Sequence, residues 1–138
     1  MAKVKEENKC YTYFMISGIF DPDEITKRLG LEPYKVHRIG EKIPSGKQLD
    51  HAMWMYGKCE EYSIELTKQV EKTIFGLLNK IDELNQISKE FDVYYSIEIV
   101  PEIYDIHNMP LFDPSLEVMD FCSATRTHLD TDLYIYAK

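Results

Sequence analysis

The segment Tyr11–Pro33, YTYFMISGIFDPDEITKRLGLEP, constrains this chain most, because a strand, a helix start and a helix stop are written into it in immediate succession. Tyr11 to Phe20 carries no charge and is rich in aromatic and β-branched residues. That is the composition of a strand with both faces at least partly covered, which places it inside a sheet. Asp21 is placed to cap the next element, Pro22 suits the first helical position, and Asp23 and Glu24 complement the positive end of the helix dipole. Ile25, Arg28 and Leu29 continue at helical spacing, Gly30 supplies a left-handed stop and Pro33 prevents resumption, so the helix is about two turns long.

The remainder is punctuated differently. Tyr34 to Met53 is broken by Gly40, Pro44 and Gly46 and reads as a long loop, with a brief strand at Tyr34 to Ile39. Met53 to Lys58, holding Trp54 and Tyr56, is expected to be a strand with Gly57 as a bulge or an end. From Thr67, Val70, Ile74, Leu77, Leu78, Ile81, Leu84 and Ile87 recur at three- and four-residue steps. They predict a helix ending near Phe91, capped by Thr67 or Ser63, with a break near Ile81 where Asp82 restarts it. Val93 to Val100 alternates, with Val93, Tyr95, Ile97 and Ile99 pointing one way and Tyr94, Ser96 and Glu98 the other.

Pro101, Pro110 and Pro114 frame an irregular connection, followed by a short helix at Ser115 to Ala124 through Leu116, Met119 and Phe121. Thr131 to Ala137 is expected as the last strand, with Leu133 and Ile135 in the core and Tyr134 and Tyr136 on the other face. A strand with one buried and one wet face disfavours a doubly wound parallel sheet. The expected fold is a two-layer α+β domain: a mixed or antiparallel sheet of four or five strands with its helices packed on one face.

The order aromatic strand, Asp-Pro-Asp, Ile25, Leu29-Gly30, Pro33, then Gly40, Trp54 and a closing Asp132-Leu133-Tyr134 resembles the bacterial family called domain of unknown function 4279. The resemblance covers nearly the whole chain and implies a small, single, intracellular bacterial α+β domain. That family has no established active site, so the resemblance assigns no catalytic residue.

Length and charge narrow the function classes. A chain of 138 residues suits one domain, with residues 1–9 as a loosely ordered extension. Uncharged runs such as Cys10 to Phe20 fall far short of the roughly 20 apolar residues that cross a bilayer. The N-terminus MAKVKEENK lacks the apolar stretch of a signal peptide, so a cytoplasmic protein without membrane contact is expected. Cys10, Cys59 and Cys122 are odd in number and lack any CxxC spacing, and read as reduced thiols. The net charge is −8, and residues 48–138 alone hold 7 basic against 17 acidic residues. That balance argues against nucleic acid, whose phosphates need clustered Lys and Arg, and favours a basic protein partner.

The candidate binding surface is Tyr94, Tyr134 and Tyr136 on the non-core side of their strands, joined by Tyr11 or Tyr13 and walled by Trp54. His128, Asp130 and Asp132 form H-x-D-x-D, which on an extended segment turns three metal-competent side chains one way, a weak metal candidate. Gly40 to Gln48, GEKIPSGKQ, departs from a phosphate loop in having five residues between its glycines and Gln48 after Lys47. None of His37, His51, His107 and His128 lies near a G-x-S-x-G elbow, and no catalytic residue or cofactor is assigned. The reading is a non-enzymatic protein-binding module of immunity or regulatory type. A small-molecule or metal-binding domain using the sheet face or the 40–53 loop is the alternative, and a homodimer through the tyrosine face the third.

Overall fold

A computed structural model describes residues 6–61 and 65–136. Among the described residues six strands and four α-helices follow in the order β1 (Lys9–Ile19), α1 (Pro22–Leu29), β2 (Lys35–His37), β3 (Ala52–Glu61), α2 (Leu66–Ile74), α3 (Ile81–Glu90), β4 (Asp92–Ile103), α4 (Leu116–Thr125), β5 (His128–Thr131) and β6 (Tyr134–Ile135). The sheet is mixed, in the order β2-β3-β1-β4-β5, with β6 also on β4. Antiparallel pairs join β2 to β3 and β1 to both its neighbours, while β5 and β6 run parallel to β4. The uncharged strand is thus the central one. This is the expected α+β architecture with an open sheet.

Helix α1 forms as its residues dictate. Asp21 accepts from the Asp23 backbone N–H at 2.9 Å, and Gly30 closes the helix at φ 66°. Its Ile25 and Leu29 are buried, and Arg28 donates to Glu83 and Glu90 of α3 at 2.8 and 2.6 Å, fastening the two helices. The expected helix from Thr67 to Phe91 is indeed two, separated by a 3₁₀ turn at Phe75–Leu77. Thr67 lies inside α2 and donates to the Asp113 carbonyl instead of capping, and Ser63 falls outside the described residues.

One core lies between the sheet and the helices. Phe14, Ile16, Trp54, Tyr95, Ile97 and Ile99 from the strands meet Ile25, Leu29, Val70, Ile74, Leu77, Leu84, Ile87, Val118 and Phe121 from the helices. In α4 the buried positions are Val118, Phe121 and Thr125, whereas Leu116 and Met119 face outward, contrary to the expectation. The helix is apolar nearly all round, so its composition did not specify which side would be covered.

Two features of the sheet matter for its free side. Opposite Tyr13, β3 carries one extra residue: Thr12 pairs with Cys59 and Phe14 with Tyr56, leaving Gly57 and Lys58 between them. Gly57 takes φ 73°, a conformation that suits glycine at a bulge. The bulge is held from α2, where Thr73 Oγ1 donates to the Gly57 carbonyl and Gln69 Nε2 donates to the carbonyls of Cys10 and Cys59.

The second feature is the C-terminal edge, expected as one strand from Thr131 to Ala137. Ala137 lies outside the described residues; in place of one strand, β5 starts earlier and ends at Thr131, and Tyr134–Ile135 form β6 after a two-residue gap, with Leu133 and Ile135 exposed rather than in the core. Pro101 accounts for the interruption. Asp132 N donates to the Ile99 carbonyl and Tyr136 N to the Ile103 carbonyl. Pro101 lies midway, turns the same way and has no N–H to give, so the ladder lapses beside it.

At the other end of the chain, Lys9 already belongs to β1. Asn8 Oδ1 accepts from the N–H groups of Tyr104 and Asp105, and its Nδ2 donates to the Asp105 and Asn108 carbonyls. The expected loose extension of residues 1–9 therefore does not hold for Asn8 and Lys9, and residues 1–5 lie outside the described residues.

Candidate functional site

The helix-free face of the sheet can be laid out from the strand register, because residues directly opposite share a face. One rung runs Tyr13–Glu98–Asp130 across β1, β4 and β5. The next, Met55–Met15–Ser96–His128, spans β3 to β5, and Met53–Ser17–Tyr94 follows. On the other side of Tyr13 lie Glu60–Tyr11–Val100 and then Lys9–Glu102–Tyr134.

Tyrosine rings cover this face. Tyr11 stacks on Tyr13 with centroids 6.2 Å apart, and Tyr13 meets Tyr34 edge-on at 5.9 Å. Tyr136 stacks on Tyr104 at 5.0 Å and on Tyr134 at 6.4 Å, and Tyr94 stacks on the His128 ring at 4.5 Å. Tyr94, Tyr134 and Tyr136 are 42, 43 and 53% exposed. Tyr94, Tyr134 and Tyr136 thus stand half-exposed on the side of the sheet away from the helices, with Tyr11 and Tyr13 on the same side, in three separate ring groups.

Trp54 does not belong with them. It is wholly buried in the core, stacked on Tyr56 at 5.7 Å, with its Nε1–H donating to Thr26 Oγ1 at 3.0 Å. It walls no binding surface, because its side of β3 is the one the helices cover. Three residues escaped the sequence reading. Tyr104 follows from extending the β4 alternation past Pro101, whereas Tyr34 precedes its strand and no periodicity marks it. Lys58 sits on this face only because the Gly57 bulge shifts the alternation by one residue. Its ammonium lies 5.0 Å from the Tyr11 ring centroid and 5.8 Å from that of Tyr34.

Charge on the face is mostly acidic. Glu98 is half-buried, and burial followed by Asp130 opposite it raises its carboxyl above the usual glutamate range. Burial, then Glu98, raises the Tyr13 phenol, while burial followed by Glu102 raises Tyr11. Tyr134 is raised first by its hydrogen bond to Asp132, to which it donates at 3.0 Å. These phenols stay protonated at neutral pH and act as hydrogen-bond donors and stacking surfaces.

The raised Glu98 value has a testable consequence. For a carboxyl whose folded pKa exceeds its unfolded one, the stability contribution is complete below the unfolded value and is lost as pH rises through the folded value. Glu98→Gln is therefore expected to raise the melting temperature at about pH 7 and to leave it unchanged at about pH 4. Thermal melts at the two values check this; equal gains at both would exclude ionisation as the cause.

The H-x-D-x-D residues are spread over separate tasks. His128 stacks on Tyr94, Asp130 faces Glu98, and Asp132 lies beyond β5 and accepts from Tyr134. Among the described residues no three His, Cys, Asp or Glu side chains converge as a metal ion requires. The 40–53 segment is not a bare loop but a hydrogen-bonded arm. Gly40 N donates to the Leu49 carbonyl, Leu49 N to that of Glu41 and Ile43 N to that of Lys47, while Lys42 and Lys47 point into solvent. Where it returns to the sheet, a groove of about 480 Å³ is lined by Ser17, Gly18, Asp50, His51, Asp92 and Tyr94. Cys10, Cys59 and Cys122 are free thiols, and burial pushes Cys10 up to about 12 and raises the other two. No described helix is long and apolar enough to cross a membrane.

No curated protein and no solved structure matches this chain. Residues 8–136, from the Asn8 clamp to the last ring of the tyrosine face, match the family described as Domain of unknown function (DUF4279), and the chain belongs to that family.

Proposed function

We propose that this chain is a non-enzymatic binding module that takes a protein partner on the open face of its sheet, in the manner of an immunity-type or regulatory protein. The observation that carries the reading is the half-exposed tyrosine array on the side the helices leave uncovered. Tyrosine offers large, rigid contact area with a hydrogen-bonding tip, the property that makes it common among residues dominating protein interfaces. The surrounding carboxylates and the net charge of −8 favour a partner with a basic surface and oppose nucleic acid.

The test is tyrosine footprinting of the tagged chain free and in a complex purified from its host. Tyr94, Tyr134 and Tyr136 are expected to be protected in the complex. Tyr136→Ala is expected to weaken binding by roughly tenfold or more. A complex that protects the exposed helix-layer residues Phe75 and Leu116 and ignores Tyr136→Ala would exclude the reading.

A second reading, a small molecule held at the end of the same face, is favoured by the groove beside the 40–53 arm. There His51 Nδ1 lies 2.8 Å from Asp50 Oδ1 and the rim includes Tyr94.

A further inference from the structure

We infer that the Tyr11, Tyr13 and Tyr34 rings form a seat for a cationic side chain of the partner, a guanidinium or ammonium, which Lys58 fills in the free protein. This rests on the protein-binding reading above and names the chemistry that face selects. The Lys58 ammonium already sits over two of the three rings, 5.0 Å from Tyr11 and 5.8 Å from Tyr34, so the cluster holds a cation in the structure itself. Attraction between a cation and the negative face of an aromatic ring accounts for that placement. Lys58 is exposed and makes no ion pair among the described residues, so the rings hold it without a carboxylate partner.

Its position is a product of the fold. Without the extra residue at Gly57, strand alternation would turn Lys58 toward the helices; the bulge, pinned by Thr73 and Gln69, turns it onto the rings. Carboxylates stand in register beside the seat: Glu98 lies opposite Tyr13 with Asp130 next to it, while Glu60, opposite Tyr11, is paired with Lys9 at 3.7 Å. A flexible lysine stem can swing clear, and a guanidinium is flatter and more weakly hydrated than the ammonium it would displace.

The experiment follows the Tyr ring resonances of the full chain by NMR during titration with the peptide Gly-Arg-Gly-Arg-Gly. The same peptide with citrulline for arginine keeps the shape and removes the charge. The arginine peptide is expected to shift the Tyr11, Tyr13 and Tyr34 rings, and the citrulline peptide to leave them in place. Lys58→Ala, a surface change whose fold is checked by its dispersed amide spectrum, is expected to tighten arginine-peptide binding on the order of fivefold by removing the internal competitor. Shifts confined to Tyr134 and Tyr136, or an affinity unchanged by Lys58→Ala, would overturn the seat and leave the protein-binding face standing. Absence of shifts at any of these rings would also overturn the seat, and the footprint of the natural complex then shows separately whether the face binds protein.

Discussion

Trp54→Ala is expected to destabilise the fold by about 3–5 kcal/mol, a large part of the roughly 5–15 kcal/mol that holds a domain of this kind together. The indole is wholly buried near the start of β3, so truncation leaves a cavity among packed neighbours instead of returning surface to water. It also removes the donor that reaches Thr26 Oγ1, and with it a tie between α1 and the sheet. Urea unfolding measures the loss. Tyr136→Ala provides the contrast: Tyr136 is 53% exposed, and its loss is expected to change stability by no more than about 0.5 kcal/mol. If the two variants unfold alike, Trp54 does not occupy the core.

Gly57→Ala is expected to cost about 2–5 kcal/mol, from two causes acting together. The residue would have to hold φ 73°, and its new Cβ would stand 2.4 Å from the Thr73 carbonyl oxygen in the backbone of α2. The contact is with backbone on both sides, so neither partner can turn away. Gly46→Ala separates the causes: its φ is 86° but nothing lies within 4 Å of the added carbon. That variant is expected to lose only the conformational part, about 1–2 kcal/mol. Denaturation midpoints of the two proteins decide the matter, and a cost at Gly57 no greater than at Gly46 would show that α2 does not bear on the bulge.

The Gly57 result also bears on binding. A substitution that forced the bulge out of β3 would return Lys58 to the helix side, and the Tyr11 and Tyr34 rings would lose their cation. Stability and the chemistry of the open face are therefore coupled through one backbone position, in a way that no side-chain pattern records.

Much of the architecture was legible because it depends on short-range chemistry. The Asp21 cap, Pro22 and the Gly30 stop set α1 almost residue by residue, and the alternation of Tyr94 to Ile99 assigned both faces of β4 correctly. The break between α2 and α3 was visible as a restart at Asp82. These signals act over one or two turns of chain, where propensity and periodicity operate. Tyr94, Tyr134 and Tyr136 were placed on the open face for the same reason.

What the sequence by itself determined is the period and the identity of the elements, and from these the two-layer class. Which side of each strand the helices would cover was decided only in three dimensions. Trp54 with Tyr56 and Met53 with Met55 are both apolar rows, and which of them packs into the core beneath the helices depends on where α1 and α2 come to rest. Lys58 changed faces through a bulge whose carbonyls are held by α2, and β5 parted from β6 beside a proline in the neighbouring strand β4. Alternation along a strand says that neighbours point oppositely; only long-range packing says which direction is the interior.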